Sequence, residues 1–87
     1  MKINFKNFKQ FTDITREQTV ESDIRKDFAD LVYKNSNGVM AHDIALRIYR
    51  SESEVEFSAE ESEFITNFVQ QQTTPIFQDS FIANEKS

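Results

Sequence analysis

In the stretch ESDIRKDFADLVYK, the apolar residues Ile24, Phe28, Leu31 and Val32 fall at i, i+4, i+7 and i+8. That spacing lines one face of an α-helix and leaves Arg25, Lys26, Asp27 and Asp30 for the wet side. Ser22 or Asp23 can accept from the orphan amides of the first turn. NSNG closes the run, because Asn and Gly tolerate the left-handed backbone that ends helices. The predicted helix covers about 22–34, and a second covers about 39–50 with Ala41, Ile44, Ala45, Ile48 and Tyr49 as its stripe. Ala41 and Ala45 permit close helix–helix approach, and Arg47 and Arg50 suit the negative end of the helix dipole. Two such stripes joined by a short turn need a shared core, which the rest of the chain has to supply.

MKINFK alternates Met1, Ile3 and Phe5 with Lys2, Asn4 and Lys6, and SESEVEF alternates Val55 and Phe57 with Glu54 and Glu56. Period two with one polar face is the pattern of a half-buried strand. Lys2 and Lys6 can oppose Glu54 and Glu56, which favours pairing these two segments. SAEESEF opens with Ser58 three residues before Glu61, a capping box, and Phe64, Ile65, Phe68 and Val69 follow at helical spacing. Thr74 then caps a last short helix with Pro75 in its first position, where a missing N–H costs nothing. Ile76, Phe77, Phe81 and Ile82 line it. Residues 10–20 show no clear period and are expected to form a connection of uncertain extended character.

The expected fold is α+β and mostly helical: a two-stranded antiparallel sheet (about 1–6 with 54–57) beside four helices (about 22–34, 39–50, 59–72 and 75–83). At 87 residues the chain makes one domain, 1–87, with 84–87 fraying. A chain this short buries only about 60–65% of the surface its unfolded form exposes. It carries nine phenylalanines and no tryptophan, and each buried aromatic removes about 150–250 Å² from water. A domain of this size is not expected to hide all nine, which points to an apolar surface patch.

Charge is unevenly placed. The first fifty residues carry a net +2 and the remainder −7, for a total of −5. Glu52, Glu54, Glu56, Glu60, Glu61 and Glu63 form a solvated face on the plain reading. On the sharper one they form a patch for a basic partner, with Glu52, Glu54, Glu56, Phe57, Glu60 and Glu63 as the contact residues. Without cysteine there are neither disulfides nor thiolate metal sites. One histidine and one glycine leave no multi-histidine site and no glycine-rich phosphate loop. Glu60 and Glu61 stand where helix caps stand. No catalytic, cofactor or metal residue is assigned, and the chain is expected not to be an enzyme. MKINFKNFKQF places charges and amides where a secretory leader needs an apolar run, and no apolar run approaches the roughly 20 residues of a membrane helix. The expected setting is cytoplasmic, in a host cell or associated with a virion, with no membrane contact.

Helix, short glycine-containing turn and helix over 22–50 match the outline of a helix-turn-helix. A reading helix needs its N-terminal side chains at base edges. Here that end is VMAHDIA, with an aspartate that phosphate would repel, and the arginines lie at the other end. Net charge and a pI of about 4.8 also argue against counterion-release binding. A nucleic-acid-linked regulator, with His42, Arg47 and Arg50 as its contacts, is the competing reading.

Three pieces, DIRKDFADLVY, NGVMAHDIALRIY and VEFSAEESEFITNFVQQQTTPIFQDSFI, together resemble small proteins encoded by tailed phages and prophages, notably in gut Bacteroidetes. The shared layout is a short strand, two helices, a Ser-x-Glu-Glu cap and helix, and a last segment running from Pro75 to Ile82. The resemblance implies a phage or mobile-element origin and a binding or accessory role, and it brings no activity or site to transfer. The expected function is an accessory or interaction protein acting through contact with a phage or host protein. Its composition is also compatible with a homo-oligomer.

Overall fold

The computed structural model describes residues 1–86. In chain order the elements are β1 (Lys2–Asn4), β2 (Phe8–Phe11), β3 (Thr19–Ser22), α1 (Arg25–Asn35), α2 (Val39–Arg50), β4 (Glu54–Glu56), α3 (Ala59–Gln72) and α4 (Pro75–Asn84). The fold class is α+β with helix predominating. β1 pairs antiparallel with β4 in the register Lys2↔Glu56, Ile3↔Val55 and Asn4↔Glu54. The alternation of both segments explains this: Ile3 and Val55 turn inward together and the charged residues turn out.

Residues 10–20 are not a plain connection. They run from the end of one strand to the start of the next in a second antiparallel sheet, β2 with β3, in the register Phe8↔Ser22 to Phe11↔Thr19. The turn between them is held by Asp13, whose Oδ1 accepts from the Thr15 N–H at 3.0 Å and the Thr15 hydroxyl at 2.6 Å. Thr19, Val20, Glu21 and Ser22 are all exposed, so β3 has no buried face to betray it as alternation. Ser22 is therefore spent on β3, and α1 begins at Arg25. The Asp23 carboxylate accepts the Arg25 N–H at 3.0 Å, ahead of a helix whose N-cap, Ile24, offers no side-chain acceptor.

Gly38 does not close α1, which ends at Asn35 with Ser36 extended. It opens α2 instead, at φ 103° and ψ 164°, a backbone region that is almost glycine's alone. α3 has both halves of its capping box, Glu61 N–H to Ser58 Oγ at 3.2 Å and Ser58 N–H to Glu61 Oε1 at 2.9 Å. Thr74 and Pro75 start α4 as their chemistry dictates.

The core is phenylalanine. Phe5, Phe8, Phe77 and Phe28 stack in a closed ring, with centroids 5.4–6.4 Å apart and planes within 21° of parallel. Phe57 and Phe68 meet this ring edge-on, at Phe5 and Phe28. Phe28, Val32, Ile44, Ile48, Ile65, Phe68 and Phe81 share one cluster, with Ile24, Leu31 and Phe64 packed against it. No phenylalanine is exposed; Phe11, Phe64 and Phe77 are half-buried and the rest buried. The expected aromatic surface patch does not form, because offset and edge-on contacts let rings share one small interior. The large apolar residues left in water are Ile14, Val20, Tyr33, Val39, Tyr49 and Ile82. Tyr49 and Ile82 thus leave the stripes on which the helical period puts them.

The tail is tied back. Asn84 ends α4, and Lys86 forms a two-way bridge with Lys2, N–H to carbonyl at 2.9 Å in each direction. Ser87 lies outside the described residues.

Candidate functional site

Six glutamates lie just before β4, on β4 and on the first turns of α3, and three of them are internally balanced. Glu52 accepts from Lys6 Nζ at 3.1 Å and lies 3.6 Å from the Arg25 guanidinium. Glu54 meets Lys86 Nζ at 2.8 Å. Glu61 is bonded to the Ser58 amide and to Arg47. The Lys6 hydrogen bond holds the Glu52 carboxyl below its ordinary range, as the Lys86 bond does for Glu54 and the Ser58 amide does first for Glu61. Among the described residues Glu56, Glu60 and Glu63 make no ion pair, although Glu56 lies across the sheet from Lys2. Phe57 is 3% exposed. It follows Val55 inward, packs on Phe5, and lies under the Arg47 guanidinium at 5.7 Å. It cannot serve as the apolar rim of an acidic patch. Phe81 is equally buried.

The helix-turn-helix residues are divided. Arg47 donates to Asp43 at 3.0 Å and to the Glu56 carbonyl at 3.2 Å, and also meets Glu61 and covers Phe57. Those bonds hold β4 and the start of α3 against α2, so this cation is committed within the fold. His42 is exposed near the start of α2 and meets the Tyr33 ring edge-on at 5.4 Å. Arg50 is exposed at the far end of the same helix. All three stand on α2, with His42 and Arg50 toward opposite ends and Arg47 between them already bonded to Asp43 and Glu61. Among the described residues, no three His, Cys, Asp or Glu side chains gather where they could hold a metal ion. No helix is long and apolar enough to cross a membrane.

The surface that sequence reasoning missed lies between α1 and α2. Ala29 and Ala45 are small, and their helices leave a groove of about 260 Å³ over them. Leu46 lines it, Tyr33 and Tyr49 flank it, and Lys26 and Asp30 complete its wall. Tyr33 and Tyr49 are 56% and 55% exposed, the only tyrosines in a chain that leaves none of its nine phenylalanines exposed. The available signal was one small residue on each helix, Ala29 and Ala45, each followed four residues on by a tyrosine, Tyr33 and Tyr49. The chain matches no protein-family model, no curated protein and no solved structure.

Proposed function

We propose that this chain is a small accessory protein of a phage or prophage that works by holding a protein partner, without catalysis. The observation that carries the reading is the tyrosine-flanked groove between α1 and α2. Small-molecule pockets run to about 300–1,000 Å³ and enclose their ligand; an open groove of about 260 Å³ suits one large apolar side chain of a protein. Tyrosine is enriched among residues that dominate binding energy, since it offers wide apolar contact with one polar tip. The phage origin rests on the resemblance of DIRKDFADLVY, NGVMAHDIALRIY and VEFSAEESEFITNFVQQQTTPIFQDSFI to small phage and prophage proteins. The unpaired Glu56, Glu60 and Glu63 add an attraction that speeds encounter with a basic partner.

The test is affinity capture from the natural host, with and without its phage, using wild type beside Tyr33→Ala/Tyr49→Ala. Both proteins must first show equal melting. A partner held by wild type is then purified and titrated. The double variant is expected to bind it about 30-fold or more weakly, the scale of a hot-spot pair. Equal affinity for both proteins removes the groove as the site.

A further inference from the structure

Each strand here has an outer edge of backbone groups that water or another chain can reach, and on three of the four at least one of those groups is bonded from outside the sheet. On β1 the Lys2 N–H and carbonyl are taken by Lys86. On β2 the Lys9 N–H and carbonyl are taken by the Asn84 amide, and the Phe11 N–H by Ser80 Oγ at 2.9 Å. On β4 the Glu56 carbonyl is taken by Arg47. β3 is the exception. Lys9 and Phe11 face α4, so Phe8 and Gln10 face β3, and the antiparallel register turns Val20 and Ser22 toward β2. Thr19 and Glu21 therefore direct their backbone outward, and among the described residues nothing bonds to either. Val20, 58% exposed, stands between them. The edge is four residues long and carries Glu21, both of which limit pairing, but it has no proline, bulge or cover and stays a template for a further strand.

We propose that β3 accepts an extended segment of another protein, one carrying Lys or Arg at alternate positions. Main-chain bonds to Thr19 and Glu21 would supply affinity, and the charge pattern would supply choice. The run from Glu17 to Asp23 holds Glu17, Glu21 and Asp23 and no basic residue. Pairing with a second copy is disfavoured on that ground. Centring on Val20 sets Glu17 against the Asp23 of the other copy, centring on Thr19 sets Glu17 against Glu21, and centring on Glu21 sets it against itself. A basic strand meets a net acidic edge, since Glu17, Glu21 and Asp23 outnumber Lys9, which stands across from Glu21, and Arg25, which bonds Asp23. This surface is separate from the α1–α2 groove, and each can fail without the other.

The experiment titrates the full chain with the peptide acetyl-Lys-Val-Lys-Thr-Lys-Val-Lys-amide, followed by amide NMR and hydrogen exchange. The same peptide with Glu for Lys is the control. The Thr19 and Glu21 amides are expected to shift and to exchange about tenfold more slowly at saturation, while Tyr33 and Tyr49 stay put. Glu21→Pro removes an outward N–H without touching the β2–β3 ladder, and binding should fall about tenfold or more at unchanged melting. Glu21→Lys keeps the backbone bonds of the ladder while setting a second lysine opposite Lys9; at equal melting it should lose the preference for the basic peptide, which covers the case that the proline variant unfolds. Shifts confined to Glu60 and Glu63, indifference to Glu21→Lys, or a dimer abolished by Glu21→Pro would each overturn the proposal.

Discussion

The Asn84 side chain binds the Lys9 backbone as a neighbouring strand would: its Oδ1 accepts the Lys9 N–H at 3.2 Å and its Nδ2 donates to the Lys9 carbonyl at 2.7 Å. One turn earlier, Ser80 accepts the Phe11 N–H and donates to the Ile76 carbonyl at 2.8 Å. Helix α4 thus finishes the edge of β2 with side chains, and the hairpin is fastened to the helical core through them.

Ser80→Ala should leave the Phe11 amide partly buried without an acceptor, at a cost of about 1–3 kcal/mol. Urea melts give the loss, and hydrogen exchange should show the Phe11 amide opening first. Asn84→Asp, which keeps the acceptor but loses the donor, should weaken the contacts to the Lys9 and Ser80 carbonyls while the Lys9 N–H keeps its acceptor.

Phe28 touches Phe5, Phe68, Phe77 and Phe81 at once. Phe28→Ala is expected to cost about 3–5 kcal/mol, comparable to the whole stability of a domain this small, about 5 kcal/mol. Circular dichroism should find it largely unfolded at room temperature. Phe28→Leu should retain a cooperative melt at a lower midpoint.

A Cβ added at Gly38 would meet no atom within 4 Å, so space is not the constraint there. Its positive φ is. Gly38→Ala is expected to cost about 1–3 kcal/mol through backbone strain alone, measured as a shift in denaturation midpoint at unchanged slope.

Asp23, Glu52, Glu54 and Glu61 all have carboxyl pKa values below their ordinary range, through bonds to Arg25, Lys6, Lys86 and the Ser58 amide respectively. Each group is more acidic folded than unfolded, so its stabilisation is complete above the unfolded pKa of about 4 and fades as pH falls through the lower folded value. The melting temperature should be flat from about pH 7 to 5 and fall below about pH 4. Glu61→Gln should melt lower at neutral pH and converge on wild type in acid.

Duplex DNA should show no salt-sensitive binding in fluorescence anisotropy at about micromolar protein, given a net charge of −5 and the commitment of Arg47 to Asp43 and Glu61. Arg47→Ala should lower the melting temperature instead, by freeing β4 and α3 from α2. Tight binding lost in that variant would restore the helix-turn-helix reading.

The four helices, the β1–β4 pair, the Ser58–Glu61 box and the Pro75 start were legible in the sequence, because each is written within a few neighbouring residues. Apolar spacing reports which side chains leave water, and caps report which amides need an acceptor. The assignment of Phe57 to a surface failed for the complementary reason: alternation in SESEVEF says which residues share a face, and only the packed Phe5 and Arg47 say that this face is sealed. The tyrosine groove depended on two helices meeting over Ala29 and Ala45, a distance no local pattern records.

What the sequence by itself determined is therefore the set of helices and the one sheet whose strands each bury a side. What only the tertiary structure decided is the β2–β3 hairpin, the return of Lys86 to Lys2 and the open edge of β3. Backbone hydrogen bonds between residues as distant as Lys2 and Lys86 use groups common to nearly every residue, so they leave no periodicity for a sequence to show.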